Sequence, residues 1–174
     1  MKNVVLVIPK IDDLWYREQC MADPNTMSYN AGYDVSYSGY HYDTGCIDFP
    51  QNTWESWYNN KMSNPNFYYA YIKDEDNGEF VGYLNFNLQS DGYATMGIVI
   101  ESSRRGNGYM KPALAKMISV AKERGVKVLT DTVPENRVGA MKAFYDMGFK
   151  VVGNFIGKKF GEDELVNEIH LGIK

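Results

Sequence analysis

The sequence predicts an α/β domain in which one mixed, mostly antiparallel β-sheet carries helices on both faces. Two patterns predict this fold class. Three strand-like segments joined by short turns occupy the middle of the chain, and a strand–loop–helix–strand unit follows directly. Hairpins pair strands antiparallel, whereas a helical crossover makes the strands that it joins parallel. We therefore expect about seven strands with one parallel pair, and about four helices.

The first part of the chain supplies a strand, two helices and three consecutive strands. Asp12 or Asp13 is suited to the N-cap of the first helix. Residues 22–50 have no clear period and are rich in Gly, Asn, Asp, Ser and Tyr. The pair Asn77-Gly78 predicts a hairpin turn, because both turn residues need a positive φ. The expected elements are strands at 2–8, 67–72, 80–88 and 93–100 and helices at 12–21 and 52–62.

The remainder of the chain alternates helices and strands. Apolar residues recur at helical spacing after Gly108. Pro112 is acceptable only in the first turn of that helix, which fixes its start near Gly108. Gly125 and Gly148 end the two helices of this part. The expected elements are helices at 109–124 and 137–147 and strands at 126–133, 149–156 and 165–173, the last two joined by a turn at 158–163.

Length and composition predict one cytoplasmic domain that spans residues 1–174. The two cysteines, Cys20 and Cys46, give no disulfide framework, which is typical of a reducing compartment. The apolar run at 4–8 is too short for a signal peptide or a membrane span, so we expect no membrane association. A net charge of −4 argues against nucleic-acid binding.

Charge is unevenly distributed along the chain. Residues 1–98 carry 5 basic and 13 acidic side chains (net −8), and residues 99–174 carry 13 basic and 9 acidic side chains (net +4). Ordinary surface scatter explains such a split as well as a function does. The functional interpretation is an anionic ligand held by the second part and a cationic ligand held by the first.

The most informative segment runs from residue 98 to residue 110. A buried strand ends there, a small basic turn follows, and a helix begins. The first N–H groups of a helix have no internal partner, and the helix dipole favours an anion beside them. Gly106 and Gly108 allow the backbone to approach that anion closely, and Arg104 and Arg105 add positive charge. The segment therefore predicts a pyrophosphate site.

Two common pyrophosphate loops do not fit this segment. It lacks the Gly-Lys-Ser/Thr ending of a Walker loop. Lys111 holds the third glycine position of the dinucleotide-binding pattern G-x-G-x-x-G. Nucleoside triphosphates and dinucleotides are therefore disfavoured as ligands.

Residues 98–114 resemble motif A of the GNAT superfamily of N-acetyltransferases, whose signature is [Gln/Arg]-x-x-Gly-x-[Gly/Ala]. Arg105 and Gly108 match its first two fixed positions, and Met110 stands at the last, where the family usually has Gly or Ala. Residues 136–149 resemble motif B, which typically ends in Tyr-x-x-x-Gly-Phe. The element order matches the family over nearly the whole chain. The resemblance implies a GNAT-like acyl-CoA N-acyltransferase fold, in which the parallel strand pair splays apart.

The resemblance implies acetyl-CoA as co-substrate and no metal. In the family the pyrophosphate lies on the turn after the fourth strand, and the pantetheine pairs with that strand like an extra strand. A backbone N–H near Ile100 would bind the acetyl oxygen. Asn136 resembles a cofactor-side asparagine of the family, one residue too far from Gly148. The expected cofactor-binding residues are Ile98, Val99, Ile100, Arg105, Gly106, Asn107, Gly108, Tyr109, Met110 and Asn136.

The resemblance also implies direct attack of a neutral amine on the thioester in a ternary complex. A base must take a proton from the ammonium, and an acid can protonate the leaving sulfur. The motif B tyrosine that often serves as this acid is Phe144 here, so the neighbouring Tyr145 is the candidate, unless the thiolate leaves without an acid. Glu101, beside the reaction point, is the candidate base. Asp91, His41 or a carboxylate acting through water are alternatives.

Tyrosines are concentrated in the region that borders the acceptor site in this family. Ten of the 14 lie between residues 16 and 71, most densely at 29–43. Aromatic faces and carboxylates attract cations, so we expect a small cationic amine such as a polyamine, an aminosugar or an amino-acid-like molecule. An aromatic loop that packs on the sheet is the alternative interpretation. The expected acceptor-binding residues are Tyr33, Tyr37, Tyr40 and Asp34.

Three functions are compatible with these observations. The first is an N-acetyltransferase that acts on a primary amine of a small acceptor. The second is a non-catalytic acyl-CoA-binding module, which the departures at Met110 and Phe144 motivate. The third is an acetyltransferase of protein or peptide amines, which residues 22–50 disfavour if they crowd the cleft. The resemblance is compatible with a homodimer, and the sequence does not identify the acceptor.

Overall fold

A computed structural model describes residues 2–174, with seven strands in one sheet and five α-helices. The strands are β1 (Val4–Val7), β2 (Phe67–Asp74), β3 (Phe80–Leu88), β4 (Tyr93–Ile100), β5 (Val128–Pro134), β6 (Lys150–Lys159) and β7 (Glu162–Gly172). The helices are α1 (Trp15–Ala22), α2 (Pro24–Met27), α3 (Trp54–Lys61), α4 (Met110–Glu123) and α5 (Val138–Asp146). The order across the sheet is β1-β2-β3-β4-β5-β7-β6, and β4 with β5 is the parallel pair. The predicted fold class is therefore confirmed.

The two faces of the sheet bury separate groups of side chains. Successive residues of a strand point to opposite faces. Ala70 of β2 faces a core that contains Leu114 of α4 and Phe144 of α5. The neighbouring Tyr71 faces the other side, where it packs against Tyr16 of α1. Helices therefore cover both faces, as the alternation of strands and helices predicts.

The region without a clear sequence period contains one short helix that the sequence does not predict. Asp23 caps α2 by accepting hydrogen bonds from the Asn25 N–H at 3.1 Å and the Thr26 hydroxyl at 2.6 Å. Its carboxylate also accepts from the hydroxyl of Ser102, at 3.2 Å, in the segment that follows β4. The capped helix thus ties this region to the end of the fourth strand.

The turn between β6 and β7 is shorter than the predicted turn at 158–163. Lys159 and Glu162 are still paired, which leaves Phe160 and Gly161 as turn residues with φ of 51° and 75°. A positive φ is unfavourable for phenylalanine. Phe160 is held there because its N–H donates to the carbonyl oxygen of Gly32 at 2.7 Å and its ring packs edge-on against Tyr42.

Candidate active site

The parallel strands β4 and β5 are paired only at their first residues. Their Cα partners run from Tyr93–Val128 to Thr95–Thr130. Beyond Thr130, β5 pairs with β7 alone. The second half of β4 therefore borders a gap in the sheet, as expected for a splayed pair.

Backbone N–H groups of β4 point into this gap. The N–H of Glu101 donates to the carbonyl oxygen of Val81 in β3 at 2.8 Å. Backbone polar groups alternate in direction along a strand, so the N–H groups of Ile98 and Ile100 point away from β3. These two groups lie on an open strand edge, where an extended ligand can pair with them.

The turn that precedes α4 presents further backbone N–H groups. Gly106 and Gly108 have φ of 76° and 81°, and a Cβ built on either glycine meets no atom within 4 Å. Within residues 2–174, no hydrogen bond occupies the backbone N–H groups of residues 106–111. Free N–H groups at a helix N-terminus, approached through open space, suit a phosphate or diphosphate.

Arg105 fixes the position of this turn. Its guanidinium donates to the carbonyl oxygens of Ile100 at 3.0 Å, Asn25 at 3.3 Å and Thr26 at 2.8 Å. Burial lowers the pKa of this guanidinium. The side chain thus joins the end of β4 to α2 and fixes the turn relative to both elements.

Tyr109 fixes the start of α4 to the sheet. Its buried hydroxyl donates to the carboxylate of Asp74, at the end of β2, at 2.5 Å. This hydrogen bond lowers the pKa of Asp74, which also accepts from the N–H groups of Asp76 and Asn77. The helix that carries the free N–H groups is therefore anchored to the strands beneath it.

A cavity of about 500 Å³, the turn cavity, lies between the end of β4, the turn and α5. Eight of the ten predicted cofactor residues line it: Ile98, Val99, Ile100, Arg105, Gly106, Gly108, Tyr109 and Met110. Asn107 does not, because its amide donates to the carbonyl oxygens of Arg104 and Arg105. Asn136 borders two smaller surface cavities instead. The turn cavity therefore joins the free N–H groups of the turn to the open edge of β4.

A second cavity, the aromatic cavity, has a volume of about 630 Å³ and lies on the α1 side of the gap. Its aromatic walls include Trp57, Phe67, Tyr69, Tyr83 and Phe155. The two cavities share four lining residues: Tyr29, Ile98, Val99 and Arg137. They therefore meet at the splayed end of β4, where a molecule in one can reach a molecule in the other.

Asp131 is the one carboxylate that lines the aromatic cavity within residues 2–174. It stands on β5 next to Thr130, where the pairing with β4 ends. Burial raises the pKa of its carboxyl to about 7, although Arg137 and the N–H of Thr132 favour the ionised form. A carboxyl with this pKa can accept a proton near neutral pH.

Tyr29 is the one tyrosine among residues 2–174 that lines both cavities. The guanidinium carbon of Arg137 lies 5.4 Å from the centre of its ring. Burial raises the pKa of the phenol, so the hydroxyl keeps its proton at neutral pH. The junction of the cavities therefore carries a protonated hydroxyl.

The two predicted catalytic residues lie outside both cavities. Glu101 accepts a hydrogen bond from the Ser103 hydroxyl at 2.6 Å, beside Arg104. Tyr145 is half-exposed on α5, because the helix turns its neighbour Phe144 into the core. Their catalytic roles stay predictions, and the geometry favours other residues for them.

Of the four predicted acceptor residues, Tyr33 lines the aromatic cavity, and its hydroxyl donates to Glu164 at 2.6 Å. Tyr37 and Tyr40 pack against each other outside the cavity, with tilted rings whose centroids are 5.1 Å apart. Asp34 is exposed and lies outside it as well. Three of the four expected acceptor residues therefore lie outside the aromatic cavity.

Sequence reasoning missed Asp131, Tyr29, Arg17 and Arg137 as site residues. One signal was available for Asp131, because it is the one acidic residue in the strand predicted at 126–133. Aspartate is depleted in strands, so a carboxylate within a predicted strand marks a candidate site. Arg17 and Tyr29 lie in segments whose sequence gives no such signal.

No cluster of three or more His, Cys, Asp or Glu side chains in residues 2–174 could hold a metal ion. In the same part of the chain, every helix is too short or too polar to cross a membrane.

Solved structures that superpose on this chain include acetyltransferases. Spermidine N-acetyltransferase from Vibrio cholerae, in complex with CoA and spermine, superposes with a TM-score of 0.80 at 15% identity and covers 98% of this chain and 96% of its own. The structure of yncA from Salmonella typhimurium with its cofactor acetyl-CoA gives 0.75 at 14% identity, with coverage of 99% and 95%. An N-acetyltransferase from Staphylococcus aureus Mu50 gives 0.73 at 20% identity and covers 99% of both chains.

Comparison by sequence gives a family but no individual relative. No curated protein sequence matches the chain. The family model described as acetyltransferase (GNAT) family matches residues 30–149, which include β4, the turn, α4 and the whole of α5. The match covers more than half of the chain and agrees with the fold, the splayed strands and the free N–H groups of the turn. This chain belongs to the acetyltransferase (GNAT) family.

Proposed function

We propose that residues 1–174 form one acetyltransferase domain that transfers the acetyl group of acetyl-CoA to a primary amine of a small acceptor. Both substrates are bound at the same time, acetyl-CoA in the turn cavity and the acceptor in the aromatic cavity. The observation that carries the proposal is the set of free backbone N–H groups at residues 106–111, next to an open edge of β4.

The residues of the turn cavity fit acetyl-CoA. The N–H groups of residues 106–111 would hold its diphosphate, since Gly106 and Gly108 leave open space for it. The N–H groups of Ile98 and Ile100 would pair with its extended pantetheine arm or with the acetyl oxygen. Acetyl-CoA supplies an activated thioester, whose C–S bond breaks as the N–C bond of the amide forms.

Asp131 is proposed as the base. The acceptor amine is an ammonium in neutral water and must lose a proton before it can attack. With a pKa of about 7, the Asp131 carboxylate can take this proton directly or through one water molecule. Its position beside the point where β4 and β5 part supports this role over that of Glu101, which lies outside the aromatic cavity.

Tyr29 is proposed as the group that gives a proton to the leaving sulfur. It stands at the junction of the two cavities, whereas Tyr145 lines neither. A thiolate has a conjugate-acid pKa of about 8.5 and is already a tolerable leaving group. The contribution of Tyr29 is therefore expected to be smaller than that of Asp131.

Two measurements on the purified chain test the proposal. The first is the melting temperature with and without millimolar acetyl-CoA, because a ligand at 100 times its Kd stabilises the folded state by about 2.7 kcal/mol. For a domain of this size that corresponds to a rise of about 5 °C or more. The second is release of the CoA thiol, followed with a panel of primary amines.

The two readouts together separate the candidate functions. A rise in melting temperature with amine-dependent thiol release supports the proposal. An unchanged melting temperature refutes it. A rise without release under any small amine or peptide would indicate a non-catalytic acyl-CoA-binding module, and release with peptides alone would indicate a protein acetyltransferase.

A further inference from the structure

The aromatic cavity carries more positive than negative charge. Its charged lining consists of Arg17, Lys61, Arg137 and Lys158 against Asp131. Lys158 is paired with Asp163. For the other three cations, no carboxylate in residues 2–174 lies within 4.0 Å of the charged nitrogens. A cavity with this lining attracts anions and repels a ligand that carries positive charge alone.

Arg17 stands in this cavity within a cage of aromatic rings. Its guanidinium carbon lies 4.6 Å from the ring centre of Phe49, 4.3 Å from that of Trp57 and 5.7 Å from that of Tyr69. Aromatic faces hold a guanidinium in place without neutralising it. Its charge therefore remains available to a ligand.

The guanidinium of Arg17 donates one hydrogen bond, to a sulfur atom, and none to an oxygen. Its Nε is buried and has no acceptor, and Nη1 contacts the sulfur of Met21 at 2.7 Å. Among residues 2–174, no oxygen atom accepts a hydrogen bond from this guanidinium. A partly buried charge without an oxygen partner is unfavourable, and an oxyanion supplied by a ligand would remove that cost.

We propose that the acceptor carries an oxyanionic group, a carboxylate or a phosphate, in addition to its primary amine, and that Arg17 binds this group. The planar guanidinium fork matches both oxyanions. Asp131, in the same cavity, receives the proton of the amine, and the aromatic walls take an apolar body. This inference rests on the proposed function, whose acceptor site it specifies.

The sequence predicted a small cationic amine as acceptor, but of its four expected binding residues Tyr33 alone lines this cavity. Asp34, the carboxylate that was expected to attract the cation, lies outside it. The acceptor that fits the observed lining has a positive amine and a negative oxyanion.

Pairs of primary amines that differ in the presence of an oxyanion test the proposal. Phenylalanine is compared with phenylalaninamide, 4-aminobutyrate with 1,4-diaminobutane, and 2-aminoethyl phosphate with ethanolamine. We expect kcat/KM to be about 10- to 100-fold higher for the oxyanionic member of at least one pair, the range typical of a charge-assisted hydrogen bond. Preference for phenylalanine or 4-aminobutyrate assigns a carboxylate, and preference for the phosphate pair assigns a phosphate.

The variant Arg17→Gln tests the assigned residue. We expect the ratio of kcat/KM between the preferred oxyanionic acceptor and its partner without the oxyanion to fall to about 1, chiefly through KM. The exposed Lys116 on α4 gives a control, because Lys116→Gln also removes one positive charge but should keep the preference. The rise in melting temperature with acetyl-CoA shows that each variant is folded and keeps the nucleotide site.

Failure of this inference and failure of the proposed function give different experimental results. If acetyl-CoA stabilises the protein and amines release CoA, but the oxyanionic member is preferred in none of the pairs, this inference is wrong and the proposed function stands. An Arg17→Gln variant that binds acetyl-CoA and keeps its preference for the oxyanion would also overturn the inference. If acetyl-CoA neither binds nor reacts, the proposed function itself fails.

Discussion

At the scale of single residues, Asp131 is the side chain whose environment best matches a chemical step. We expect Asp131→Asn to lower kcat by about 100-fold, within the range for general base catalysis. In the unmodified protein kcat should rise with pH through about 7, because the carboxyl must be ionised to accept a proton. Steady-state rates between pH 5.5 and 9 check both points. If kcat of the Asp131→Asn variant still rose with pH through about 7, Asp131 would not be the base.

The same carboxyl predicts an effect on stability. Its pKa is raised in the folded state, so the folded protein holds this proton more tightly than the unfolded chain does. Stability contributed by the protonated form is present at acidic pH and is lost as pH rises through about 7. Asp131→Asn should therefore raise the melting temperature at pH 8 by about 3 °C or more, since one pKa unit corresponds to about 1.4 kcal/mol and solvent contact reduces the full effect.

The pH dependence of this gain in melting temperature shows whether the carboxyl of Asp131 is its cause. Near pH 5 the carboxyl of Asp131 is neutral in the folded state and ionised mainly in the unfolded chain, so the gain from the variant should be clearly smaller than at pH 8. The exposed Asp43 offers a matched substitution, because Asp43→Asn removes the same charge without relieving burial. An equal gain from both variants at pH 8 would show that overall charge, rather than burial of Asp131, is responsible.

Two tyrosines compete for the role of proton donor. Tyr29 lies at the junction of the cavities, whereas Tyr145 is half-exposed on α5. We expect Tyr29→Phe to lower kcat by about tenfold, less than is usual for general acid catalysis because a thiolate leaves readily, and Tyr145→Phe to lower it by less. Rates at saturating acetyl-CoA and acceptor provide the comparison. A larger loss of kcat in Tyr145→Phe than in Tyr29→Phe would indicate that Tyr145 is the proton donor.

Residue roles were predictable from sequence where the local backbone determines them, and not where they depend on distant packing. Gly106 and Gly108 were identified because the ligand is held by the backbone of a single turn. Asp131 gains its role from the separation of β4 and β5 after Thr130, and Arg17 from rings that three other segments supply. Neither arrangement produces a pattern that can be recognised in a short stretch of the sequence.

At the scale of elements, the turn before α4 predicts a contrast between two glycines. Gly108 and Gly125 have φ of 81° and 80°, and neither has an atom within 4 Å of a built Cβ. Alanine at either position should destabilise the protein by about 1 kcal/mol through backbone strain. Gly108→Ala alone should also weaken acetyl-CoA binding, by about tenfold, because its methyl group occupies the space through which a diphosphate approaches.

Isothermal titration with acetyl-CoA, together with melting curves of the free variants, measures both effects. Gly125 ends α4 at the opposite end from the turn, so its alanine variant reports the strain alone. Equal affinities in the two variants would show that the diphosphate does not approach Gly108.

Elements with strong local signals were predicted, and those held by tertiary contacts were not. The helix and strand patterns of α4 and β4 fix those elements within a few residues. The Phe160-Gly161 turn was not predicted, because phenylalanine rarely adopts a positive φ and is held there by Gly32 and Tyr42. The short helix α2 depends on the side-chain cap of Asp23, which a sequence without a clear period conceals.

At the scale of the whole molecule, the charges that line the two cavities do not follow the charge difference between the two parts of the sequence. The second part of the sequence supplies Arg104, Arg105 and Lys111 to the turn cavity, as the charge split predicts for an anionic ligand. The first part does not supply carboxylates to the acceptor site. It contributes Arg17 and Lys61 to the aromatic cavity instead, although residues 1–98 carry a net charge of −8. Both cavities are therefore positive within a protein of net charge −4.

This arrangement predicts that salt weakens the binding of both substrates. Raising ionic strength from 0.1 M to 1 M shortens the Debye length from about 10 Å to about 3 Å, which screens the cationic linings. We expect the Kd of acetyl-CoA and the KM of an oxyanionic acceptor to rise by about three- to tenfold over this range. Acetylpantetheine, which lacks the phosphates, serves as the control ligand, and its affinity should change little. Equal salt dependence for acetyl-CoA and acetylpantetheine would mean that the turn does not hold the diphosphate by charge, and that the amides alone, or another surface, bind it.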